Sequence, residues 1–415
     1  MMDNSKDIRV LRELAQQVIA AASQPKYAER IRLWTEHNSL QRTRPLVLVS
    51  CGKYAAYEYE IIKYECADPL FRDIEFQLRH KLFQDWIDDD SILHPWVEVR
   101  AQFSDPGWGV HATNTPSSDG VKGAYKLAAE PAITPNDAVR QKLRQPHHSI
   151  DEAITRIRVE RVREAISDLM PVQEDRTTPY IGFGADISYA LGQLLGMERL
   201  MLHMYDDPVW LHELLAFLRD GIFSAQAEAE QAGDFTAISQ HNQSENYARG
   251  MVAPAANGGS VARRQLWGFF AAQEFATISP AMHEEFLFRY QLPIMEQVGL
   301  VAYGCCEDLT RKIEMLRQLK NLRRIAVTPW ADVATCARQI EDKYVLSWRP
   351  NPAPMVCSGF DPEWITKALR EGLTACAGCH TDILLKDIQT VQGAPERLKN
   401  WARLAKDLSE DMQMI

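Results

Sequence analysis

The last third of the chain repeats a strand followed by a helix four times, and this repeat constrains the fold more than any other feature. Apolar runs at residues 300–304, 322–330, 344–350 and 382–388 each precede a segment whose apolar residues have helical spacing. Parallel strands need crossover connections of this kind, whereas antiparallel strands can be joined by tight turns. The repeat therefore predicts a parallel sheet covered by helices.

Earlier candidate strands bring the total close to eight. They are predicted at residues 44–50, 96–103, 169–183 and 235–240. The economical fold for such a chain is a (β/α)8 barrel, also called a TIM barrel. An open doubly wound sheet is the alternative, but the glycines of GFGADISYALGQLLG lack the spacing of a dinucleotide-binding fingerprint.

The N-terminal part is predicted to be helical. Residues 1–67 are assigned to a helical extension and residues 68–415 to the barrel, because the apolar residues of 7–24 recur at intervals of three and four. Asp68 is predicted to cap the first helix of the barrel region. The acidic run 88–90 at the end of that helix is interpreted as a solvated helix end rather than a cation site.

Composition excludes several classes of function. The formal net charge is −10 with both signs interspersed, so no basic surface for nucleic acid or anionic lipid is expected. The sequence has no apolar run of the roughly 20 residues that a membrane span needs, and its first residues do not resemble a signal peptide. The 8 cysteines have irregular spacings, which favours free or metal-bound thiols in a reducing compartment. We therefore expect a soluble, cytoplasmic protein.

Two histidine-containing stretches are interpreted as structural. Residues 105–150 are rich in Pro, Gly, Asn and Ser and are predicted to form an irregular excursion that covers a site. Within it, His147 and His148 are expected to face solvent. The segment 376–380, CAGCH, matches a haem-attachment pattern, but it lies at the N-terminal end of the last predicted strand and is interpreted as a turn.

Candidate site residues follow the predicted strands, because parallel α/β folds build their chemistry at the C-terminal edge of the sheet. Cys305, Cys306 and Glu307 place two thiols and a carboxylate within three residues, which suits zinc. Simple packing is an equal alternative, since buried cysteines behave as small hydrophobic residues. Alternation would put Cys305 and Glu307 on one side if the strand continues that far. His241 and Asn242 end an earlier candidate strand.

The later strand ends supply charged and aromatic candidates. They are Trp330, Arg349, Lys386 and Asp387. Lys386 and Asp387 interrupt an apolar strand, and such charges are rarely buried without a partner or a task. A structural ion pair between the two is an equal alternative to a catalytic role.

Four segments together carry a resemblance to a known family. They are SPAMHEEFLFRYQLPIMEQVGLVAYGCCEDL, LRRIAVTPWADV, YVLSWRPNPA and DILLKDIQTVQGAPERLKNWARLA. In this order they resemble the uroporphyrinogen decarboxylase superfamily, and most closely its branch of corrinoid-dependent methyltransferases and O-demethylases. The resemblance covers most of the chain from Asp68 and is strongest in the last third. It implies a (β/α)8 barrel and a zinc-assisted methyl transfer to or from a corrinoid that a separate protein carries.

The site residues of this branch carry over only in part. Members often have a His-x-Cys at the end of the fifth strand and a further Cys after the last strand. Here Cys305 matches the first Cys, Tyr303 stands in place of the His, and Asp387 falls near the later Cys. The resemblance therefore implies a zinc site of changed composition. The candidates for its remaining ligands are Cys306, Glu307 and His241.

The function implied by the resemblance is methyl transfer from a small O- or N-methylated substrate to a corrinoid protein, with zinc polarising the methyl-bearing heteroatom. Lys386 or Asp387 would manage the proton of the leaving group. An aromatic or apolar substrate is expected at the mouth of the barrel. The candidate substrate-binding residues are Trp267, Tyr303, Trp330 and Asn242.

Two other classes of protein stay open. A metal-free decarboxylase would use Arg349, Lys386 and Asp387, although the chain lacks the Arg-containing N-terminal signature of porphyrinogen decarboxylases. A non-catalytic barrel that binds a ligand or a partner protein would also tolerate the changed zinc residues. The substrate, the direction of transfer and the oligomeric state, for which a homodimer is allowed, are left undetermined.

Overall fold

The computed structural model describes residues 5–105, 107–110, 115–116, 125–126 and 130–413. Its α-helices are α1 Ser5–Ala22, α2 Pro25–Asn38, α3 Pro69–Ile87, α4 Val139–Lys142, α5 Glu152–Ile166, α6 Ile187–Leu195, α7 Met197–Asp206, α8 Pro208–Ala232, α9 Pro280–His283, α10 Arg289–Met295, α11 Ile313–Leu316, α12 Val333–Ile340, α13 Pro362–Ala375 and α14 Glu396–Gln413. Its strands are β1 Leu46–Val49, β2 Val97–Arg100, β3 Thr115–Pro116, β4 Tyr125–Lys126, β5 Val172–Asp175, β6 Trp267–Phe270, β7 Leu300–Tyr303, β8 Leu322–Val327, β9 Val345–Trp348 and β10 His380–Leu385.

Six parallel strands form the main sheet, in the order β1-β10-β9-β8-β7-β6. Most of their residues are buried, which is typical of a parallel sheet with helices on both faces. β2 and β5 form a separate parallel pair, with Val97 opposite Val172. The protein therefore has a mixed α/β fold, and the predicted repeat of strand and helix in the last third is confirmed from β7 to α14.

The predicted strand at residues 235–240 is wrong. This segment forms a turn in which the backbone N–H of Thr236 donates to Ser239 Oγ at 2.8 Å, and the N–H of Ser239 donates to the carbonyl of Thr236 at 2.9 Å. Short polar side chains compete in this way with the hydrogen bonds of a sheet.

An unpredicted strand, β6, forms the edge of the main sheet next to β7. Its sequence, WGFF, contains Gly268, and glycine usually weakens a strand. Here the glycine is required by packing, because a Cβ on Gly268 would lie 2.9 Å from Cγ2 of Val298 and 3.0 Å from Cε2 of Phe270.

The predicted helical extension, residues 1–67, contains α1 and α2 but also β1, which pairs with β10. The predicted boundary at residue 67 therefore falls after a strand of the main sheet. The end of α2 is tied to the same sheet through a buried ionic network. His37 Nε2 lies 3.0 Å from Asp382 Oδ2, and Asp382 also pairs with Arg324. Arg324 in turn donates to Asn38 Oδ1 at 2.9 Å.

The acidic run after α3 is only partly a solvated helix end. Asp68 caps α3 as predicted, accepting hydrogen bonds from two backbone N–H groups of its first turn. Asp89 and Asp90 are buried, which corrects the prediction for both. Asp90 pairs with Arg44 at 2.7 Å, and Asp89 accepts a hydrogen bond from the N–H of Val49 at 2.7 Å. Both carboxylates therefore hold β1 in place.

The histidine-containing stretches are structural in the described residues. His147 is exposed beside Glu228, as predicted, but His148 is buried with its ring 2.6 Å from Asp234, because this carboxylate satisfies it. The CAGCH segment is a turn that leads into β10. All eight cysteines are free thiols. No helix in the described part of the chain is both long and apolar enough to cross a membrane.

Candidate active site

The turn after β7 sets the geometry of the candidate site. β7 ends at Tyr303, and Gly304 adopts a φ of 101°, a conformation that favours glycine. A Cβ on Gly304 would also lie 2.7 Å from Leu309 Cδ1. Because the strand stops here, the predicted alternation does not extend to Cys305 and Glu307.

Glu307 is directed at the backbone of this turn. Its Oε2 accepts hydrogen bonds from the N–H groups of Cys305 at 2.9 Å and Cys306 at 3.0 Å. Its Oε1 accepts from the N–H of Ala272, just beyond β6, at 2.8 Å. The residue is 1% exposed. Glu307 thus fastens the turn after β7 to the end of β6.

Two thiols, an ammonium group and a carboxylate meet where β7 and β10 end. The Sγ atoms of Cys305 and Cys306 are 3.5 Å apart. Lys386 Nζ lies 3.5 Å from Cys305 Sγ and 3.2 Å from Cys306 Sγ. Asp387 Oδ2 lies 2.8 Å from Lys386 Nζ, so the predicted ion pair is present. The structure therefore brings together four of the residues predicted from the strand ends.

The electrostatics of this cluster favour a thiolate at Cys305. A hydrogen bond from Cys306, together with the charges of Lys386 and Arg349, outweighs burial and lowers the pKa of Cys305 to about 6. The hydrogen bond to Cys305 and burial raise the pKa of Cys306, which keeps its proton. Burial alone would lower the pKa of Lys386, but the Cys305 sulfur and the Asp387 carboxylate raise it. Near neutral pH the centre of the cluster is an ion pair of thiolate and ammonium.

Two further side chains donate hydrogen bonds to Cys305. The buried guanidinium of Arg349 donates a hydrogen bond to the carbonyl oxygen of Cys305. Gln243 Nε2 donates to Cys305 Sγ at 3.3 Å. The sequence did not indicate Gln243. Its only signal was its place in the chain, directly after the two candidates His241 and Asn242.

An open cavity of about 350 Å³ lies beside the cluster among the described residues. Its apolar wall includes Leu48 of β1 and Leu384 of β10, and its polar wall includes Gln243 and Lys386. Cys305 does not line the cavity and is 4% exposed. Lys386 is therefore the charged group of the cluster that faces the cavity, and the thiolate lies behind it.

His241 and Asn242 have different places in this wall. His241 lines the cavity, and burial lowers its pKa to about 4, so its ring is neutral. The ring stands edge-on to Phe269, with centroids 5.0 Å apart. Asn242 is buried, and its side chain bonds the carbonyl of Glu245 at 3.1 Å and the N–H of Ser244 at 2.8 Å. Asn242 therefore shapes the loop and does not face the cavity.

The three predicted aromatic residues are not gathered at the cavity. Tyr303 is buried, and its hydroxyl donates to Gln291 Oε1 at 2.9 Å. Trp267 is the first residue of β6 and is buried in the core. Trp330 is 75% exposed, in the turn after β8. None of them lines the 350 Å³ cavity, because two point into the core and one into solvent.

The residues present do not fit the predicted zinc site. Zinc sites in proteins use three or four protein ligands. In residues 5–105 and the other described ranges, no three His, Cys, Asp or Glu side chains are arranged to hold a metal ion. The oxygens of Glu307 are occupied by backbone N–H groups. The two sulfurs converge on the ammonium of Lys386, which cannot coordinate a metal while it is protonated.

Comparisons with known proteins add one finding. No protein-family model matches this chain, and neither does any curated protein. Among solved structures, a methyltransferase from Methanosarcina mazei is similar, with a TM-score of 0.48 and 9% sequence identity. The similarity covers 92% of this chain and 99% of that one.

Proposed function

We propose that this chain is a methyltransferase that takes a methyl group from a small O- or N-methylated substrate bound in the cavity. The observation that carries the proposal is the position of Lys386. Lys386 lines the cavity, and the two sulfurs and Asp387 lie within 3.5 Å of its Nζ. The resemblance of the strand-end segments to corrinoid-dependent methyltransferases supplies the class of reaction.

The chemical step requires a proton donor from this chain. As the bond between the methyl carbon and the oxygen or nitrogen breaks, its electron pair stays on the heteroatom, which becomes basic. Lys386 would hydrogen-bond to that atom as its charge develops and give it a proton. General acid catalysis contributes about 10²- to 10⁴-fold, and the raised pKa of Lys386 makes the lower end of this range the expectation. The methyl carbon would pass to an acceptor nucleophile that enters from the open side of the cavity. We propose that a corrinoid on a separate partner protein supplies this nucleophile.

Cys305 and Arg349 would act as positioning residues in this scheme. The Cys305 thiolate keeps Lys386 protonated and directed at the cavity, and Arg349 holds the carbonyl of Cys305. No step is assigned to zinc, because the ammonium of Lys386 lies where the two sulfurs meet. The decarboxylase alternative is less well supported, since it needs Arg349 at the substrate and this guanidinium is bound to the backbone.

We also propose that the two parallel ladders belong to one closed (β/α)8 barrel. The edges of the main sheet are β1 and β6, and the pair β2-β5 lies between them in sequence. Placing β2 beside β1 and β5 beside β6 would give eight parallel strands with neighbours in chain order, as in a barrel. The candidate site would then lie at its C-terminal mouth.

The test is the dependence of the Lys386→Met variant on the leaving group. Methoxybenzene and 4-nitromethoxybenzene would be offered with free cob(I)alamin as the acceptor, and methylcobalamin would be measured. A phenolate leaving group needs a proton more than the less basic nitrophenolate does, so we expect a loss of about 100-fold or more for methoxybenzene and a much smaller loss for the nitro compound. The control is Lys367→Met, on the exposed face of α13. Equal losses for the two substrates, or no transfer by the unmodified protein, would overturn the proposal.

A further inference from the structure

Three polar atoms on the wall of the 350 Å³ cavity are buried and unpaired among the described residues. They are Gln84 Oε1, Gln243 Oε1 and Ser244 Oγ. A buried polar atom without a hydrogen bond costs about 1–3 kcal/mol. Three of them in one wall indicate that a ligand or water molecules complete their hydrogen bonds when the cavity is filled.

The orientation of both amides is fixed by their other contacts. Gln84 Nε2 donates to the carbonyl of Val49 at 3.0 Å, and Gln243 Nε2 donates to the sulfur of Cys305 at 3.3 Å. A carbonyl oxygen and a thiolate can only accept, so each amide must direct its nitrogen at them. The free atom of each amide is therefore an oxygen, and the group that satisfies it must be a donor.

A carboxylate lies in the same wall. Glu245 lines the cavity and uses one oxygen to accept a hydrogen bond from the N–H of Ile92 at 2.8 Å. Lys81 and Arg30 act on it through their charges, without a side-chain hydrogen bond from either. Lys81 acts on Glu245 from a longer range, but it acts on Glu98 of β2 as well. Burial raises the pKa of Glu245 to about 7, so a cation bound beside it would favour its ionised form. The wall formed by Gln84, Ser244 and Glu245, which we call the acceptor wall, is therefore rich in acceptors and gains a negative charge when it binds a cation.

We infer that the substrate bears a protonated amine at the end away from its methyl group, and that the acceptor wall binds this amine. The inference rests on the proposed function for the orientation of the substrate in the cavity, in which the methyl-bearing heteroatom lies at Lys386. An ammonium group offers three N–H donors, which match the amide oxygen, the hydroxyl and the carboxylate of the wall. An apolar substrate would leave these atoms unpaired, and a carboxylate would be repelled by them.

The test is equilibrium binding to the unmodified full-length chain, measured by calorimetry without any methyl acceptor. Four probes share one ring and one methoxy group: 3-methoxybenzylamine, 3-methoxybenzyl alcohol, 3-methoxytoluene and 3-methoxybenzoate. We expect the amine to bind about tenfold or more tightly than the alcohol, because hydrogen bonds to charged groups are stronger than neutral ones. The toluene and the benzoate should bind more weakly than the alcohol. Equal binding of all four, the result if water alone fills the wall, would overturn the inference, and so would tightest binding of the benzoate.

A substitution that removes the charge of Glu245 tests whether the amine binds at this residue. Glu245→Gln keeps an acceptor for the N–H of Ile92 and nearly the same volume, so we expect it to abolish the preference for the amine and to change the alcohol affinity by less than about threefold. Glu371→Gln, on the exposed surface of α13, is the matched control. An unchanged amine preference in Glu245→Gln would contradict the assignment. Because no methyl acceptor is present, preference for the amine without turnover would overturn the proposed function alone.

Discussion

Replacing Lys386 with methionine should move the pKa of Cys305 from about 6 back toward its ordinary value of 9.0. Lys386 Nζ lies 3.5 Å from Cys305 Sγ, and Coulomb's law with an effective dielectric constant of about 20 gives an attraction of about 5 kcal/mol at this distance. Lowering a pKa from 9.0 to about 6 takes about 4 kcal/mol; the hydrogen bond from Cys306 is its largest cause, and the charge of Lys386 adds to it against the opposing effect of burial. Cys306, Arg349 and Gln243 still favour the thiolate in the variant, so we expect a pKa between the two values.

The assay is a pH titration of the ultraviolet absorbance of the thiolate. The chain has 8 cysteines, so the signal of Cys305 is isolated by subtracting the titration of the same protein with Cys305→Ser. Lys367→Met serves as the control, because it removes an exposed positive charge from the surface of α13. A pKa that stays near 6 in Lys386→Met would refute the reasoning. It would mean that the hydrogen bond from Cys306 and the charge of Arg349 are sufficient.

Three further predictions concern buried charged side chains in and near the candidate site. Asp382→Asn should lower the free energy of unfolding in urea by about 3–5 kcal/mol, because it leaves Arg324 buried without its carboxylate. Burial would raise the pKa of Asp382, but Arg324 lowers it to about 2, so in the unmodified protein this stabilisation should be complete above about pH 4 and lost as the pH falls toward 2. Glu307→Gln should cost about 1–3 kcal/mol of unfolding free energy in the same assay, because one acceptor oxygen for backbone N–H groups is replaced by a donor. Lys386→Ala should increase the affinity for Zn²⁺ in competition with a chromogenic chelator, since it removes the ammonium from between the two sulfurs.

The strands of the main sheet could be predicted where burial on both faces gives them a continuous apolar sequence. β1 and β7–β10 are short apolar runs followed by helices, and parallel strands buried on both faces have this composition. β6 could not be predicted, because Gly268 is required by a neighbouring valine that is distant in the sequence. The turn at residues 235–240 resembles a strand in its apolar pattern, and only the hydrogen bond to the Ser239 hydroxyl distinguishes it.

The grouping of the candidate site residues could be predicted, but their contacts could not. The rule that chemistry lies at the C-terminal ends of parallel strands was enough to propose Cys305 and Lys386, which are 81 residues apart in sequence and in contact in the structure. The role of Glu307 depended on alternation, and Gly304 ends that alternation one residue after the strand. Gln243 had no pattern of its own, because a glutamine becomes a thiolate partner only through the loop that positions it.

The thiolate beside Lys386 would allow a cation to line this cavity and the proposed cationic substrate still to bind there. Lys386 alone would repel an ammonium group, and its own burial would favour loss of its proton. The Cys305 sulfur at 3.5 Å and Asp387 at 2.8 Å offset both effects, because their negative charges balance that of Nζ. A proton donor and a bound amine can therefore lie in one small cavity, each with a negative partner of its own. In the proposed scheme the Cys305 thiolate would act on the chemistry by keeping Lys386 protonated, not by contact with the substrate.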